Sequence, residues 1–296
     1  MISIYIRKLL DMLLFSNVFI SCCAVAQGGL TYLLLGWPFD FRILTMLGCA
    51  TLALYNFSMI LARPAKPAES PFRRVRWIFR HERQLWLFTL IAGIVVILML
   101  IQLHRESVFI CLLVGILGLA YNVPFIPLKN EKPVGLRHIP GIKLFYIALV
   151  WVLSCVFVPV GEAYHAGIII SWTQVLQLAA WMFLFIVGIT IPFDIRDVYQ
   201  DRHYGLKTIP IMIGERNTYL LCLMLLLIQA VWVGVSGYPI EIRIALISVT
   251  LVTTGLVFMP VVRRSTGEYY YFLLLDGMMI LQFLAVYGVI LLDGFR

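Results

Sequence analysis

The sequence predicts an all-α polytopic membrane protein, with nine transmembrane helices around a central cavity and the N-terminus inside. Three observations lead there. The 296 residues are 62% hydrophobic and only 13% charged, with a mean hydropathy of +0.96; soluble domains rarely reach such values. The apolar residues form long unbroken runs, where a membrane β-barrel would show short alternating segments. Lysine and arginine collect in alternate connections between the runs.

A hydrocarbon core of roughly 30 Å needs about 20 helical residues. By that ruler the spans fall near 10–35, 41–62, 85–103, 107–123, 143–160, 172–192, 217–236, 242–262 and 270–292. Lipid offers the backbone no partners, so each is expected to be a helix. With the N-terminus inside, the inside segments hold 19 of the 23 basic residues, and only Arg42, Arg105, Arg243 and Arg296 stay outside. Such a bias fixes orientation. No hydrophilic block is long enough for a separate soluble domain, so residues 1–296 read as a single membrane domain.

The first run has span length and no convincing small-residue cleavage site, so it is expected to stay as an anchor. The six cysteines all lie in apolar runs without a C-x-x-C pair, and read as small buried apolar residues. The net charge of +8 sits between spans. Topology and membrane-lipid headgroups account for it, and nucleic acid is not an expected partner.

The loop after the second span is the most basic stretch. Pro64, Pro67 and Pro71 keep its first part extended or turned. Phe72–Arg83 is expected to form an amphipathic interfacial helix with Trp77 and Phe79 at headgroup level. Two readings stay open for its arginines: an anchor on an anionic leaflet, or closure over a diphosphate. Prolines 124 and 127 end the fourth span. Lys129, Arg137 and Lys143 follow on the inside, with Lys143 the better diphosphate candidate.

The segment Asp194–Gly214, D-I-R-D-V-Y-Q-D-R-H-Y-G-L-K-T-I-P-I-M-I-G, sits between the sixth and seventh spans. If it stays helical, Asp194, Asp197 and Asp201 share one face. Three aligned carboxylates repel unless a cation holds them, and Mg2+ suits one or two carboxylates plus substrate phosphates. Arg202, Lys207 and Arg216 lie nearby for the remaining phosphate charge. The residues point to a Mg2+–diphosphate site at a membrane surface. Asp276, near the start of the last span, faces either the cavity or the interface. The scattered histidines show no ligand spacing, and there is no P-loop or nucleotide fingerprint.

Here the chain resembles the UbiA superfamily of intramembrane prenyltransferases. The pattern D-x-x-D-x-x-x-D-x-x-x-G-x-x-T-x-P from Asp194 to Pro210 is similar to its second aspartate motif. Tyr121-Asn-Val-Pro124 with Lys129 following, and Gly141-Ile-Lys143, resemble its signatures at spans four and five. The resemblance implies Mg2+ as cofactor, a prenyl diphosphate donor, and a hydrophobic acceptor, commonly aromatic or a quinone precursor. It also implies catalytic and metal-binding roles for Asp194, Asp197 and Asp201. Asn56, Arg63, Lys66, Tyr121, Lys129, Lys143, Arg202 and Lys207 are then the candidates for diphosphate binding.

One departure is large. The family's first motif, N-D-x-x-D-x-x-x-D, should close the second span, where this chain has Asn56-Phe-Ser-Met-Ile-Leu-Ala-Arg63. Asn56 survives and the aspartates do not. Three explanations stay open: Arg63, Lys66 or the following arginines replace a metal; Glu69 or Glu82 folds back as a ligand; or transferase activity is lost and only isoprenoid binding remains. A transporter is a further alternative, disfavoured because its carboxylates would be expected nearer the midplane. The expected location is a bacterial cytoplasmic membrane, with an organellar membrane as the alternative.

Overall fold

Long apolar faces need lipid or one another, and the chain uses both. The computed structural model describes residues 2–121, 136, 139, 141–203, 205–262 and 267–293, and these are helical with short connections. In order they form α1 (Ile2–Phe15), α2 (Val18–Leu35), α3 (Phe41–Leu61), α4 (Arg73–Arg80), α5 (Glu82–Leu100), α6 (Arg105–Ala120), α7 (Lys143–Val152), α8 (Val158–His165), α9 (Trp172–His203), α10 (Ile209–Ile213), α11 (Glu215–Gly234), α12 (Ile240–Val262) and α13 (Asp276–Asp293). One π-helical turn joins α7 to α8 and another precedes α13. Among the described residues, eight helical runs are long and apolar enough to cross a membrane. The expected fourth span falls on α6, whose 16 residues are too short to be counted among those eight.

Packing closes a circuit: α2 touches α13, then α12, α11, α9, α7, α6 and α3 follow, and α3 returns to α2. α5 packs outside α3. Inward faces bury Trp181, Phe185, Leu178, Leu226 and Leu30. Outward faces leave Ile94, Ile97, Leu227, Val231 and Leu251 largely exposed. Water would penalise such a surface, while acyl chains match it. This is an integral multi-pass membrane protein.

The expected first span is interrupted. Asn17 takes a left-handed φ of 66°, which asparagine tolerates better than most residues, and the chain turns between α1 and α2. The basic loop forms α4 and then bends at His81 into α5. Trp77 stacks on His81 at 4.3 Å and meets the Phe15 ring edge-on.

Two helix-interior prolines are accommodated by side chains elsewhere. Proline cannot donate to the carbonyl four residues back. Pro192 lies inside α9, and Gly188 O accepts instead from Cys222 Sγ at 3.2 Å. Pro159 likewise frees Cys155 O, which accepts from Thr31 Oγ1 at 2.8 Å. α9 therefore continues unbroken through the aspartate segment, which carries all three carboxylates.

Candidate active site

Helix spacing brings the aspartates of α9 to one end of the bundle. Asp194 is 1% exposed and Asp201 6% exposed. Lys143, the first residue of α7, sits between them: Nζ lies 2.7 Å from Asp194 Oδ1 and 3.7 Å from Asp201 Oδ2. A turn fixes this lysine. Gly141 has a positive φ of 69°, and its N–H donates to Lys207 O at 3.0 Å. The start of α7 is thereby tied to the connection following Asp201. Burial pushes the Asp201 carboxyl above the usual carboxylate range, and Lys143 partly offsets this.

Asp197 lines the same cavity but has a different partner. Arg196 donates to both its oxygens, at 2.7 and 3.0 Å. The described residues therefore hold no ready group of three protein ligands for a metal. The donor set nevertheless fits a hard cation. Asp194 and Asp201 come together, and Asp194 Oδ2 is buried without a hydrogen-bond partner. Mg2+ commonly takes one or two carboxylates and completes its shell from phosphate and water.

The cavity has a volume of about 320 Å3. Its polar lining includes Asn17, Arg74, Tyr121, Lys143, Asp194, Arg196, Asp197 and Asp276. Asp276 thus faces the cavity, following directly on the π-helical turn Tyr270–Leu275. Tyr55 and Trp151 line this cavity and also a second, almost wholly apolar one of about 400 Å3 between α3, α5, α6 and α7. A polar chamber and an apolar chamber share a wall.

The other expected site residues divide. Tyr121 lines the cavity and stacks on Tyr146 at 5.8 Å. Asn56 is fully buried and accepts from Asn17 Nδ2 at 2.8 Å. Arg63 and Lys66 are not brought to the cavity: they are exposed and paired with Glu82 at 3.0 Å and Glu69 at 3.1 Å. Those pairings also occupy the two glutamates considered as fold-back ligands. Arg202 and Lys207 are exposed outside the cavity. Lys129 lies outside the described residues.

Two arginines in the cavity were not singled out from the sequence. Arg196 reads there as a topology charge, and Arg74 is one of many in a basic loop. Arg74 Nη2 donates to Asn17 Oδ1 at 2.6 Å, and its backbone N–H donates to Glu268 Oε1 at 3.1 Å near the start of α4. Burial, and then the nearby Arg196 charge, push Arg74 down to about 10. Phe57, Ile60 and Pro64 stand where the first motif would place aspartates. Ile60 is buried against Ile78 of α4 and Leu85 of α5.

The sequence model of the UbiA prenyltransferase family matches residues 80–286. A UbiA homologue from Archaeoglobus fulgidus bound to GPP and Mg2+ is similar in structure. Its TM-score is 0.62 at 14% identity, over 95% of this chain and 99% of that one. The same homologue bound to DMAPP and Mg2+ gives a TM-score of 0.63 at 14% identity, covering 95% and 98%. The apo UbiA homologue from Aeropyrum pernix K1 gives 0.58 at 14% identity, covering 95% and 97%. No curated protein matches the chain. With a family match over most of its length and a bundle that carries the aspartate helix, the chain belongs to the UbiA prenyltransferase family.

Proposed function

We propose that the chain, as a single domain, catalyses Mg2+-dependent transfer of a prenyl group from a prenyl diphosphate to a hydrophobic acceptor within the membrane. One observation carries the reading: Lys143, Asp194 and Asp197 line a polar cavity that shares Tyr55 and Trp151 with an apolar one. A diphosphate head and an isoprenoid tail need such a pair of chambers side by side. The Archaeoglobus homologue held GPP or DMAPP with Mg2+ on a similar fold, which supports the assignment.

Asp194 and Asp201 would hold the ion, and Asp197 would join them on exchanging its Arg196 pairing for the cation. Bound Mg2+ supplies stabilisation of the negative charge that develops on departing pyrophosphate. Lys143 carries its ammonium beside the buried carboxylates and would share the diphosphate charge with the ion. Tyr121 forms part of the wall. The bond between prenyl C1 and the diphosphate oxygen breaks, and its electron pair leaves with pyrophosphate. C1 then bonds to the nucleophilic atom of the acceptor, which afterwards loses a proton. The apolar chamber keeps water from the allylic carbon. An aromatic or quinone-precursor acceptor is the class the family resemblance implies, and a bacterial cytoplasmic membrane is the location this reading takes.

Pyrophosphate release from geranyl diphosphate in the presence of Mg2+ and an aromatic acceptor tests the proposal. The parent protein is expected to release it, and Asp197→Asn to lose release while still accumulating in the membrane. Unchanged release by that variant overturns the metal-site assignment. A non-catalytic isoprenoid-binding protein is the second reading, favoured by the missing aspartates at Phe57, Ile60 and Pro64. It expects donor binding without pyrophosphate release in the presence of any acceptor tried.

A further inference from the structure

Asp276 is a cavity carboxylate that the reaction above leaves unused. It lies in the membrane-spanning stretch Tyr270–Leu292, where an ionisable side chain is expensive and commonly functional. It follows directly on a π-helical turn, a distortion frequent at functional sites. The residue is half-buried and lines the polar cavity. Among the described residues, no hydrogen bond or ion pair engages its carboxylate.

The contacts count against a plain counter-ion role. Arg74 and Arg196 act on Asp276 only through space, while Arg74 donates to Asn17 and Arg196 to Asp197. Asp276 also stands apart from the metal-site aspartates. It comes from α13, whereas Lys143 belongs to α7 and Asp194 and Asp197 to α9. None of those three is among the charges that act on it.

Tyr55 places Asp276 beside the reacting carbon. The two interact electrostatically, and Tyr55 lines both the polar and the apolar chamber. Prenyl C1 joins the diphosphate head to the isoprenoid tail. With the head in one chamber and the tail in the other, C1 lies at their shared wall. An ionised carboxylate at that wall can only accept a hydrogen bond, so its partner must bring a donor. A phenolic O–H is the donor that an aromatic acceptor carries.

We propose that Asp276 is the general base for the acceptor: it accepts a hydrogen bond from a phenolic hydroxyl and takes its proton as C1 is attacked. This rests on the prenyl-transfer reading above and adds the acceptor's chemical class. The C1–oxygen bond of the donor breaks, and its electron pair leaves with pyrophosphate. An electron pair of the acceptor, on the oxygen or on a ring carbon conjugated to it, forms the new bond to C1. The O–H electron pair stays with the acceptor and the proton passes to the carboxylate, which returns it to water once the products leave. After attack from a ring carbon, that carbon gives up its own proton and the oxygen regains one.

Turnover of geranyl diphosphate with Mg2+ and a series of fluorinated 1-naphthols of rising O–H acidity, by the full-length protein in nanodiscs, tests it. The parent is expected to prenylate the series. Asp276→Asn is expected to bind geranyl diphosphate as the parent does. With unsubstituted 1-naphthol it is expected to lose about 100-fold or more in kcat, the range for a missing general base. The loss should shrink as the naphthol becomes more acidic, because an acceptor already ionised in water needs no base. A structural role would cost every naphthol the same factor. Asp276→Glu keeps a carboxylate at a shifted position and is expected to lie between. Thermal unfolding shows which variants remain folded. Parent-like turnover by folded Asp276→Asn, or an equal loss across the series in whichever variant folds, overturns the base while leaving the transferase reading intact. A parent that binds geranyl diphosphate but prenylates no naphthol also overturns it. A folded parent that binds no geranyl diphosphate even with Mg2+ overturns both.

Discussion

Lys143 Nζ stands 2.7 Å from Asp194 Oδ1 and 3.7 Å from Asp201 Oδ2, so one ammonium holds two buried carboxylates that lie two turns apart on α9. The lysine opens one helix and the aspartates belong to another. Their meeting depends on the Gly141 turn and on α9 staying helical past Pro192.

Lys143→Met is therefore expected to leave two like charges facing each other. Removing one partner of a buried ion pair costs about 3–5 kcal/mol, and the variant is expected to unfold at lower temperature than the parent. Mg2+ should raise its Tm more than it raises that of the parent, because the vacated space favours a divalent cation. Equal Mg2+ responses in thermal unfolding would argue that the carboxylates are not a cation site.

Restoring the family's residue at the end of α3 is expected to fail. Ile60→Asp would place a carboxylate between Ile78 and Leu85, where no cation is supplied. Burial of an unpaired charge is costly, and loss of the apolar contact should loosen α4 and with it Arg74. The expected result is a lower Tm and weaker geranyl diphosphate binding at every Mg2+ concentration. Tighter, more Mg2+-dependent binding would show that the first motif can be rebuilt by a single substitution.

The other end of α3 offers a control remote from the site. Asp40 caps this helix, accepting from the Arg42 and Ile43 amides and pairing with the Arg42 side chain at 2.7 Å. Burial pushes its carboxyl up, but the Arg42 contacts outweigh this and hold it below the usual range. A depressed carboxylate stabilises above its unfolded pKa of about 3.9, and the contribution is lost as pH falls through the folded value. Asp40→Ala is expected to lose about 1 kcal/mol at neutral pH, with the Tm gap closing below about pH 4. Donor binding should not change. A gap independent of pH would contradict the cap.

Much of this was legible in the sequence. Run length and the placement of basic residues gave the membrane class, and the spacing of Asp194, Asp197 and Asp201 placed the polar site on one helix face. The break at Asn17 was not legible, because a lone asparagine in an apolar run carries no periodic signal. Nor were the π-helical turns, which shift side chains without altering composition. Arg74 was hidden among seven basic residues of one loop. Charge and spacing do not separate it from Arg63, and only the contacts to Asn17 and Glu268 do. Arg196 was obscured by its neighbours: between two aspartates it reads as a charge balancing them, and it does bind Asp197.

The most direct measurement is saturation binding of labelled geranyl diphosphate to the purified protein, parent beside Asp194→Asn, across a Mg2+ titration. The account expects saturable binding that Mg2+ strengthens in the parent, with the Mg2+-dependent gain lost in Asp194→Asn. Binding that responds to Mg2+ identically in both proteins, or a folded parent that binds nothing, would contradict it.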